Sequence, residues 1–453
     1  MSRLFGTDGV RGKAGEHPLD HETVARLGAA LVRAMRPGLG QVSGAGSTPL
    51  RFVAGRDTRE SGGWIEQELA RGIRSEGAEL TSGGVAPTPA VAYLARETDF
   101  DAGIVISASH NPFEDNGIKV FSGRGEKFTE ALERQVEDIV ADRSWSVTGD
   151  LSQPVKRADV LEAYIEHVKL ALPAPHRLGD LKIAIDTANG ATTTVAGRLF
   201  RELGFDVTVI GANPDGRNIN LDCGSTHPQL LATTVRERGC RLGVAFDGDG
   251  DRAIFVDANG RIVDGDAVLL MCARQMKAQG RLNGNAVVAT VMSNIGLELA
   301  LRESEIELVR TSVGDKYVME EMLKRDLSIG GEQSGHIIFS NHLFTGDGIA
   351  TALNVLRVMA DSGRELADLA GELVAYPQTL VNVRVHSRKD LSTLPAVADA
   401  MANVEQKLAG HGRLLVRYSG TEPLLRIMIE GKDQQEIHAW AAELAGVVKR
   451  ELG

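Results

Sequence analysis

The sequence predicts an α/β fold, because short apolar strands alternate with amphipathic helices along most of the chain. A strand at residues 51–55 (RFVAG) precedes a helix at about 63–76, and a strand at 101–109 (DAGIVISAS) follows. A second set starts at residue 181 (LKIAIDTANGA) and a third at residue 285 (NAVVATVMSN). After about residue 374 the order becomes strand, helix, strand, strand, helix, which is an α+β pattern. Three sets of parallel βαβ units and a smaller C-terminal α+β domain are therefore expected.

The second set continues through a helix at about 194–203 and two further strands to an acidic turn at Asp247. Clusters of Ser, Thr, Gly and Pro suggest chain breaks near residues 145–155, near 258–260, and before residue 376. At ~150 residues per domain, several domains are expected for 453 residues. The predicted domains cover residues 1–153, 154–257, 258–373 and 374–453.

Composition excludes several classes of function. The formal net charge is -11 and only 4% of residues are aromatic, so the chain lacks the basic face and the aromatic platforms typical of nucleic-acid binding. Three scattered cysteines (Cys223, Cys240 and Cys272) show no metal-binding spacing and are interpreted as buried thiols. The N-terminal residues carry no apolar signal segment, and no run of about 18 apolar residues predicts a membrane span. A cytoplasmic protein with no membrane partner is expected.

The strongest motif is Asp247-Gly-Asp249-Gly-Asp251-Arg252, which follows the apolar strand RLGVAF. Alternate carboxylates separated by glycine can surround one hard cation, whereas three anions without a cation would repel one another. An EF-hand is rejected, because Arg252 occupies the sixth position of the loop, where Gly is needed, and Ala258 the twelfth, where Glu is needed. The motif therefore predicts Mg²⁺, with coordination positions left open for a substrate phosphate.

A second motif, Ser107-Ala-Ser109-His110, also follows an apolar strand, with Lys119 shortly after it. A serine on such a turn, with His and Lys nearby, can act as a nucleophile or carry a phosphoryl group. The alternative is a helix-capping serine with a hydrogen-bonded histidine, and this segment alone favours the alternative.

A third motif spans residues 417–423 (RYSGTEP), with a further arginine three residues on. Two guanidinium groups beside a Ser-Gly-Thr turn can clamp a phosphate, although a hairpin turn with surface arginines would show the same pattern. The segment GEQSGH at residues 331–336 offers polar groups for sugar hydroxyls, or it could be a polar turn. Two further glycine-framed segments, FGTDGVRG at 5–12 and GRDTR at 55–59, could be structural turns with ion pairing.

Taken in order, FGTDGVRG, GRDTRESG, ISASHNPFEDNGIK, DGDGDR, GEQSGH and RYSGTEPLLR resemble the α-D-phosphohexomutase superfamily over nearly the whole chain. Three segments are more similar to the bacterial amino-sugar branch than to the phosphoglucomutase/phosphomannomutase branch. They are FGTDGVRG, the serine loop SASHNPFEDNGIK and the sugar loop GEQSGH. The resemblance implies three related α/β domains with mixed sheets and a smaller C-terminal α+β domain around a central cleft.

The resemblance also implies residue roles. Ser109 would be the phosphorylated serine and would bind one Mg²⁺ per chain together with Asp247, Asp249 and Asp251. Lys119 and His336 would be acid/base candidates, and Arg11, His110 and Arg252 would surround the transferring phosphoryl group. Glu332 and Ser334 would contact sugar hydroxyls. The phosphate that does not react would be held by Arg417, Ser419, Gly420, Thr421 and Arg426.

The implied activity is interconversion of glucosamine 6-phosphate and glucosamine 1-phosphate through a bound glucosamine 1,6-bisphosphate, for UDP-N-acetylglucosamine and cell-wall precursor synthesis. Glucosamine or glucose 1,6-bisphosphate is a candidate activator, and a homodimer is expected by the same resemblance. The alternatives are the same chemistry on glucose or mannose phosphates, a phosphoserine-dependent phosphatase, and a sugar-phosphate-binding regulator without catalysis. The two-ended set of motifs, a transfer site and a separate phosphate clamp, favours isomerisation over hydrolysis.

Overall fold

The structure is a computed structural model of the 453-residue chain and describes residues 3–6, 8–36, 49–150, 153–419 and 423–453. The chain forms two compact units. The first unit comprises Met1–Met292 and Ile306–Gly371, and the second unit comprises Ser293–Glu305 and Glu372–Gly453. The four domain boundaries predicted from the sequence remain predictions.

The first unit begins with a seven-stranded sheet in the order β1-β2-β6-β5-β3-β4-β7. Strands β3, β4 and β5 are parallel, whereas β6 is antiparallel to β5. Helices α1 and α2 bury Leu27, Leu31, Leu69 and Ile73 in one apolar core. The strands are β1 (Phe5–Gly6), β2 (Gly9–Lys13), β3 (Arg51–Arg56), β4 (Glu79–Val85), β5 (Ala102–Ile106), β6 (Asp115–Ser122) and β7 (Lys156–Arg157). The helices are α1 (His21–Met35), α2 (Gly62–Ser75), α3 (Thr88–Glu97) and α4 (Glu130–Ala141).

The next two sheets of the first unit have the orders β12-β11-β10-β8-β9 and β14-β13-β15-β16. Their strands are β8 (Lys182–Asp186), β9 (Asp206–Ile210), β10 (Leu242–Phe246), β11 (Ala253–Asp257), β12 (Ile262–Val263), β13 (Ala286–Thr290), β14 (Glu307–Thr311), β15 (Ile329–Gly331) and β16 (Ile337–Phe339). The accompanying helices are α5 (Leu161–Lys169), α6 (Ala196–Glu202), α7 (Gln229–Arg238), α8 (Gly265–Ala278), α9 (Ile295–Glu303, in the second unit), α10 (Asp315–Arg325), α11 (Gly348–Ser362) and α12 (Leu366–Ala370).

The three sheets of the first unit share one feature that the strand and helix pattern did not predict. In each, a strand that runs parallel to a neighbour is followed by a short polar loop and an antiparallel return strand. A loop this short can join only antiparallel neighbours, since a parallel connection needs a crossover of a dozen or more residues. The expected parallel βαβ units are present, and the mixed sheets implied by the family resemblance are confirmed. The three loops are residues 107–114, 247–252 and 332–336.

The second unit carries a three-stranded antiparallel sheet in the order β17-β19-β18, with two long helices packed against it. The α+β pattern predicted for the C-terminal segment is confirmed. The first helix predicted for this segment is preceded by a 3₁₀ turn at Leu391–Thr393, and the α-helix starts at Pro395, which lacks the N–H that an interior helical position must donate. The elements are β17 (Gln378–Arg384), α13 (Pro395–Leu408), β18 (Arg413–Tyr418), β19 (Leu424–Glu430) and α14 (Gln434–Leu452).

Two composition-based expectations can be compared with the described residues. The three cysteines are free and buried, as predicted. Every described helix is too short or too polar to cross a membrane.

Short 3₁₀ helices lie at Pro175–Leu178, Ala191–Thr194, Asn283–Asn285 and Leu391–Thr393. The second of these replaces the start of the helix predicted at 194–203.

Candidate active site

Ser109 lies in the loop that joins β5 to β6, and its backbone adopts a left-handed conformation with φ of 52°. This conformation is uncommon for a residue with a side chain and is found at functional sites. The side chain is buried, and its Oγ donates a hydrogen bond to Asp247 Oδ2 at 2.5 Å. The serine loop therefore meets the acidic loop, residues 247–252, at the hydroxyl of Ser109.

A buried frame holds the serine loop in this conformation. The side chain of Arg59 is fully buried and pairs with Asp57, with Nε 2.8 Å from Oδ2. Its Nη2 donates to the carbonyl oxygens of Ser109 at 3.0 Å and of Asn111 at 2.8 Å. Ser107 donates from Oγ to Asp57 and accepts the N–H of Ser109 at 2.9 Å. The GRDTR segment thus orients the serine loop through a buried ion pair, which agrees with the alternative of a structural turn with ion pairing.

The acidic loop brings three buried carboxylates together. Oxygens of Asp247, Asp249 and Asp251 lie within 4.8 Å of one another. Burial, followed by the charges of Asp251 and Asp249, raises the pKa of Asp247 well above its usual range. Gly248 allows the two loops to approach, because a Cβ there would lie 2.5 Å from the carbonyl oxygen of Ser109. The cluster needs positive charge to be stable in its ionised form.

These residues fit a divalent cation. Asp249 Oδ1 and Asp251 Oδ1 are buried and accept no hydrogen bond from any described residue. Oxygen atoms of carboxylates and hydroxyls are the ligands that Mg²⁺ prefers. The unpartnered oxygens and the adjacent Ser109 hydroxyl therefore supply a suitable donor set.

Replacing Asp249 with Asn is expected to weaken metal binding by at least ~10-fold, since losing even an indirect partner of a metal site commonly costs 10–100-fold in affinity. The measurement is titration with Mn²⁺, read as free Mn²⁺ by electron paramagnetic resonance. Asp257→Asn is the matched control, because Asp257 is a buried carboxylate of the same segment that caps the backbone N–H groups of Asn259 and Arg261. Equal Mn²⁺ affinity in the Asp249 variant and the wild type would remove Asp249 from the ligand set.

Lys119 projects from β6 into the acidic cluster. Its Nζ lies 2.8 Å from Asp249, 3.1 Å from Asp251 and 3.0 Å from Asp8. Burial disfavours its charged form, but these carboxylates outweigh burial and raise the pKa of Lys119 well above its usual range. Lys119 is consequently an ammonium group beside the predicted metal ligands. Thr88 also donates to Asp249, at 2.6 Å.

A cavity of about 450 Å³ in the first unit adjoins these loops, which is large enough for a sugar phosphate. His110 lies on its wall, and its Nδ1 is 3.2 Å from Ser109 Oγ. Burial, followed by the charges of Arg252 and Arg11, lowers the pKa of His110 to about 4, so the imidazole is neutral at neutral pH. The wall also includes Arg3, Asp8, Arg11, Asp251, Arg252, Gly314, Asp315, Glu332 and His336.

The sugar loop contributes two of its three predicted side chains to this cavity. Glu332 and His336 line it, whereas Ser334 is exposed and is not part of the lining. Glu332 accepts the N–H of Gly314 at 3.1 Å, and the hydroxyl of Ser334 lies 3.4 Å from its other oxygen. The loop therefore offers a partly exposed carboxylate for hydroxyl groups.

The predicted phosphate clamp lies in the second unit. Arg417 and Arg426 are directly opposite each other on β18 and β19. Burial and the charge of Arg426 lower the pKa of Arg417, and like charges facing across strands destabilise a sheet. Ser419 is buried and its carbonyl oxygen accepts from Arg388 at 2.6 Å, while Gly420 and Thr421 lie outside the described residues.

Several side chains at the site were not recognised from the sequence. Asp57 and Arg59 stood in a motif that had been noticed, so a signal existed. Asp8 also stood in such a segment, FGTDGVRG. The others come from segments with no motif, and only the folded chain brings them to the functional loops. These others are Thr88, Lys127, Asn220 and Asp315 in the first unit, and Arg388 in the second unit.

Comparison with known proteins identifies the family of the chain. Four domain families described as phosphoglucomutase/phosphomannomutase match the chain: α/β/α domains I, II and III at residues 2–146, 162–260 and 264–376, and the C-terminal domain at residues 380–447. A phosphoglucomutase/phosphomannomutase family protein from Burkholderia thailandensis has a similar structure, with a TM-score of 0.80, 23% identity, and coverage of 99% of this chain and 98% of that chain. The fold is that of a phosphohexose mutase, and the chain belongs to the phosphoglucomutase/phosphomannomutase family.

Closer relatives define the branch. A phosphoglucosamine mutase from Geotalea daltonii is 44% identical over 457 aligned residues, covering 100% of this chain and 99% of the relative. One from Syntrophus aciditrophicus is 46% identical and covers 100% of both chains. The chain belongs to the phosphoglucosamine mutase branch of the phosphoglucomutase/phosphomannomutase family and is an enzyme of the isomerase class.

Proposed function

We propose that the chain interconverts glucosamine 6-phosphate and glucosamine 1-phosphate, with Ser109 as the phosphoryl carrier. The observation that carries the proposal is the contact of Ser109 Oγ with Asp247 at 2.5 Å, beside two unpartnered carboxylate oxygens. A serine that only capped a helix would not require its hydroxyl to contact one member of a cluster of three buried carboxylates. The full-length relatives named above support an amino-sugar phosphate as the substrate.

In the proposed reaction, phosphoserine 109 gives its phosphoryl group to the 1-hydroxyl of glucosamine 6-phosphate. The sugar oxygen forms the new O–P bond, its proton passes to a base, and the bond from phosphorus to Ser109 Oγ breaks with its electron pair on Oγ. The bound 1,6-bisphosphate then reorients and returns its 6-phosphoryl group to Ser109. The product is glucosamine 1-phosphate.

The residues of the chain position and neutralise the transferring group. Arg11 and Arg252 lie on the cavity wall, where they can face the equatorial oxygens that carry the charge in phosphoryl transfer. Asp247, Asp249 and Asp251 would hold one Mg²⁺ with an oxygen of phosphoserine 109, and the ion would supply further neutralisation of that charge. Lys119 and His336 are the proposed acid/base groups.

The proposed phosphate clamp supplies the second anion site that a mutase needs. Arg417 and Arg426 supply two facing guanidinium groups, and the hydroxyl of Ser419 lies 3.5 Å from Arg426 Nη2. Bidentate guanidinium contacts suit a phosphate that is held but not transferred. Both ends of the bisphosphate can use such a site in turn, whereas a phosphatase has no need of it.

The test is phosphorus NMR of the phosphorylated protein with Mg²⁺ and glucosamine 6-phosphate, run beside glucose 6-phosphate and mannose 6-phosphate. Conversion of glucosamine 6-phosphate to glucosamine 1-phosphate as the fastest reaction, without accumulation of inorganic phosphate, is the expected result. Faster conversion of a glucose or mannose phosphate would reassign the substrate. Steady release of phosphate would indicate a phosphatase, and a protein that never carries phosphate on Ser109 would indicate a regulator.

Four further expectations belong to the proposal. Glucosamine or glucose 1,6-bisphosphate would activate the dephosphorylated protein by phosphorylating Ser109, which the same spectra would detect. A homodimer would be seen as twice the chain mass in solution. The proposed location is the cytoplasm, and no nucleic-acid partner is expected for a chain of net charge -11.

A further inference from the structure

Asn220 lies in the segment between β9 and α7 and reaches the serine loop from outside that loop. Its side chain is buried, and Nδ2 donates to the carbonyl oxygen of Ser109 at 2.9 Å and to that of Asn111 at 3.3 Å. Because both neighbours are carbonyl oxygens, the nitrogen end of the amide must face them. The side chain of Asn220 is therefore a hydrogen-bond donor to the backbone of the serine loop.

The same two carbonyl oxygens have a donor from another direction. Arg59 Nη2 lies 3.0 Å from the oxygen of Ser109 and 2.8 Å from that of Asn111. A carbonyl oxygen has two lone pairs, so each oxygen can accept both donors. Arg59 follows a strand of the seven-stranded sheet, as the serine loop does, whereas Asn220 follows a strand of the five-stranded sheet. The contact of Asn220 is thus not needed to satisfy the carbonyl oxygens, and what it adds is a link between the two sheets.

The backbone of Asn220 is connected to the acidic loop through the loop that follows β8. The N–H of Asn220 donates to the carbonyl oxygen of Ala188 at 2.9 Å, and the N–H of Ala191 donates to the carbonyl oxygen of Gly248 at 2.8 Å. The side chain is equally close to the acidic loop, since a Cβ on Gly248 would lie 2.9 Å from Asn220 Nδ2. Asn220 therefore touches the acidic loop and the serine loop at once.

We infer that Asn220 is a positioning residue that sets the serine loop against the acidic loop, so that the oxygen of Ser109 lies at the three carboxylates. This inference rests on the proposed role of Ser109 as the phosphoryl carrier. A displacement of about 1 Å between reacting groups can cost ~10²-fold in rate, so the separation of the two loops matters for transfer. Asn220 is not part of the lining of the cavity and acts only through the loops that it joins.

The first test is a double-mutant cycle on Mn²⁺ affinity, read by electron paramagnetic resonance on protein that mass spectrometry shows to carry no phosphate. In the wild-type background, Ser109→Ala should weaken Mn²⁺ binding by ~10-fold, because the hydroxyl lies at the carboxylate cluster. In the background of Asn220→Gly, Ser109→Ala should change the affinity little, because the hydroxyl is then no longer held at the cluster. Equal effects in the two backgrounds, or no effect in either, would overturn the inference.

Asp222→Gly is the matched control for Asn220→Gly. Both residues have a left-handed backbone, with φ of 58° at Asn220 and 53° at Asp222, so glycine makes the same change in backbone freedom at either position. The side chain of Asp222 is exposed, whereas that of Asn220 is buried against the serine loop. In the background of Asp222→Gly, Ser109→Ala should keep its full effect on Mn²⁺ affinity. Loss of that effect would assign the result to loosening of the segment and overturn the positioning role.

The second test is kinetic. Asn220→Gly should lower kcat by ~10-fold, as is usual for losing a partner that orients the ligands of a metal site. KM for the sugar phosphate should change little, because Asn220 does not line the cavity. A rise in KM with unchanged kcat would overturn the inference.

Asn220→Asp provides a second variant if Asn220→Gly does not fold. Aspartate has nearly the same shape and also tolerates the left-handed backbone, but its carboxylate has no N–H to donate. At neutral pH, kcat of this variant should fall at least as far as that of Asn220→Gly. A wild-type kcat in Asn220→Asp would show that the donated hydrogen bonds do not position Ser109.

The outcomes separate the inference from the proposed function. A wild-type protein that does not convert glucosamine phosphates would contradict the proposed function. The Mn²⁺ cycle uses protein without phosphate and needs no turnover, so it would still decide the role of Asn220. A protein that is fully active as a mutase but shows no coupling between Asn220 and Ser109 would contradict the inference alone.

Discussion

Ser109→Ala is expected to reduce turnover by at least ~10³-fold, because removing a covalent nucleophile eliminates the path through the phosphoenzyme. The variant should also carry no phosphate after purification. The loss follows from one contact, since Ser109 Oγ is the hydroxyl that meets the carboxylate of Asp247 at 2.5 Å. The measurements are turnover of glucosamine 6-phosphate and phosphopeptide mapping by mass spectrometry.

Ser107→Ala is the control for the choice of serine. Ser107 Oγ is engaged by Asp57 and by the N–H of Ser109, so it positions the loop and is not expected to carry phosphate. This variant should retain phosphate on Ser109. Phosphate that maps to Ser107, or that persists in Ser109→Ala, would contradict the assignment.

Ser109→Gly distinguishes the effect of losing the hydroxyl on activity from the effect of the left-handed backbone conformation on stability. The left-handed φ of 52° costs about 1 kcal/mol for a residue with a Cβ, and glycine does not incur that cost. Ser109→Gly should therefore be as inactive as Ser109→Ala but more stable to denaturant. Equal stability of the two variants would show that the loop relaxes when the hydroxyl is absent, and that contacts of the hydroxyl maintain the strain.

The parts of this site that could be predicted from the sequence are those whose chemistry is local. Asp247, Asp249 and Asp251 stand at alternate positions on one turn, so their convergence follows from chain geometry alone. Thr88 and Asn220 could not be predicted, since each reaches its partner across more than 100 residues: Thr88 donates to Asp249, and Asn220 donates to the carbonyl oxygen of Ser109. Such pairings depend on strand order, which periodicity does not determine.

The same distinction applies to the fold. Alternating apolar strands and helices predicted the α/β class, because that pattern records which faces are buried. The antiparallel return strands β6, β11 and β16 were not distinguished from parallel ones, since they too are apolar. Strand direction is set by the length of the connection. Each of the three functional loops is also the short connection before an antiparallel strand. The residues that reverse the chain direction are therefore the same ones that carry the candidate site.

Arg59→Met is expected to destabilise the protein by about 3–5 kcal/mol, which is the usual cost of leaving one member of a buried ion pair alone. Both side chains of the Arg59–Asp57 pair are fully buried. The substitution would also leave the carbonyl oxygens of Ser109 and Asn111 without their guanidinium donors. The measurement is the urea midpoint of unfolding, and turnover should fall as well because Ser109 loses its position.

Arg198→Met is the comparison for Arg59→Met. Arg198 pairs with Glu202 and Glu162 on an exposed surface, where ion pairs contribute little, so the urea midpoint should hardly move. Similar shifts for the two arginines would contradict the buried-pair argument.

The loss of folding stability caused by Arg59→Met should also depend on pH, and it should become smaller as the pH falls. Burial already raises the pKa of Asp57, and Arg59 partly offsets it, so removing Arg59 should raise the pKa further. An acid whose pKa is higher in the folded than in the unfolded state destabilises the fold when ionised, and this penalty disappears as the pH falls through the folded-state pKa. The stability difference between the variant and the wild type should therefore shrink on mild acidification.

Asp57→Asn combined with Arg59→Met should recover part of the lost stability at neutral pH, because no unpaired charge is then buried. A double variant less stable than Arg59→Met would show that the lost backbone contacts, and not the unpaired carboxylate, dominate the loss.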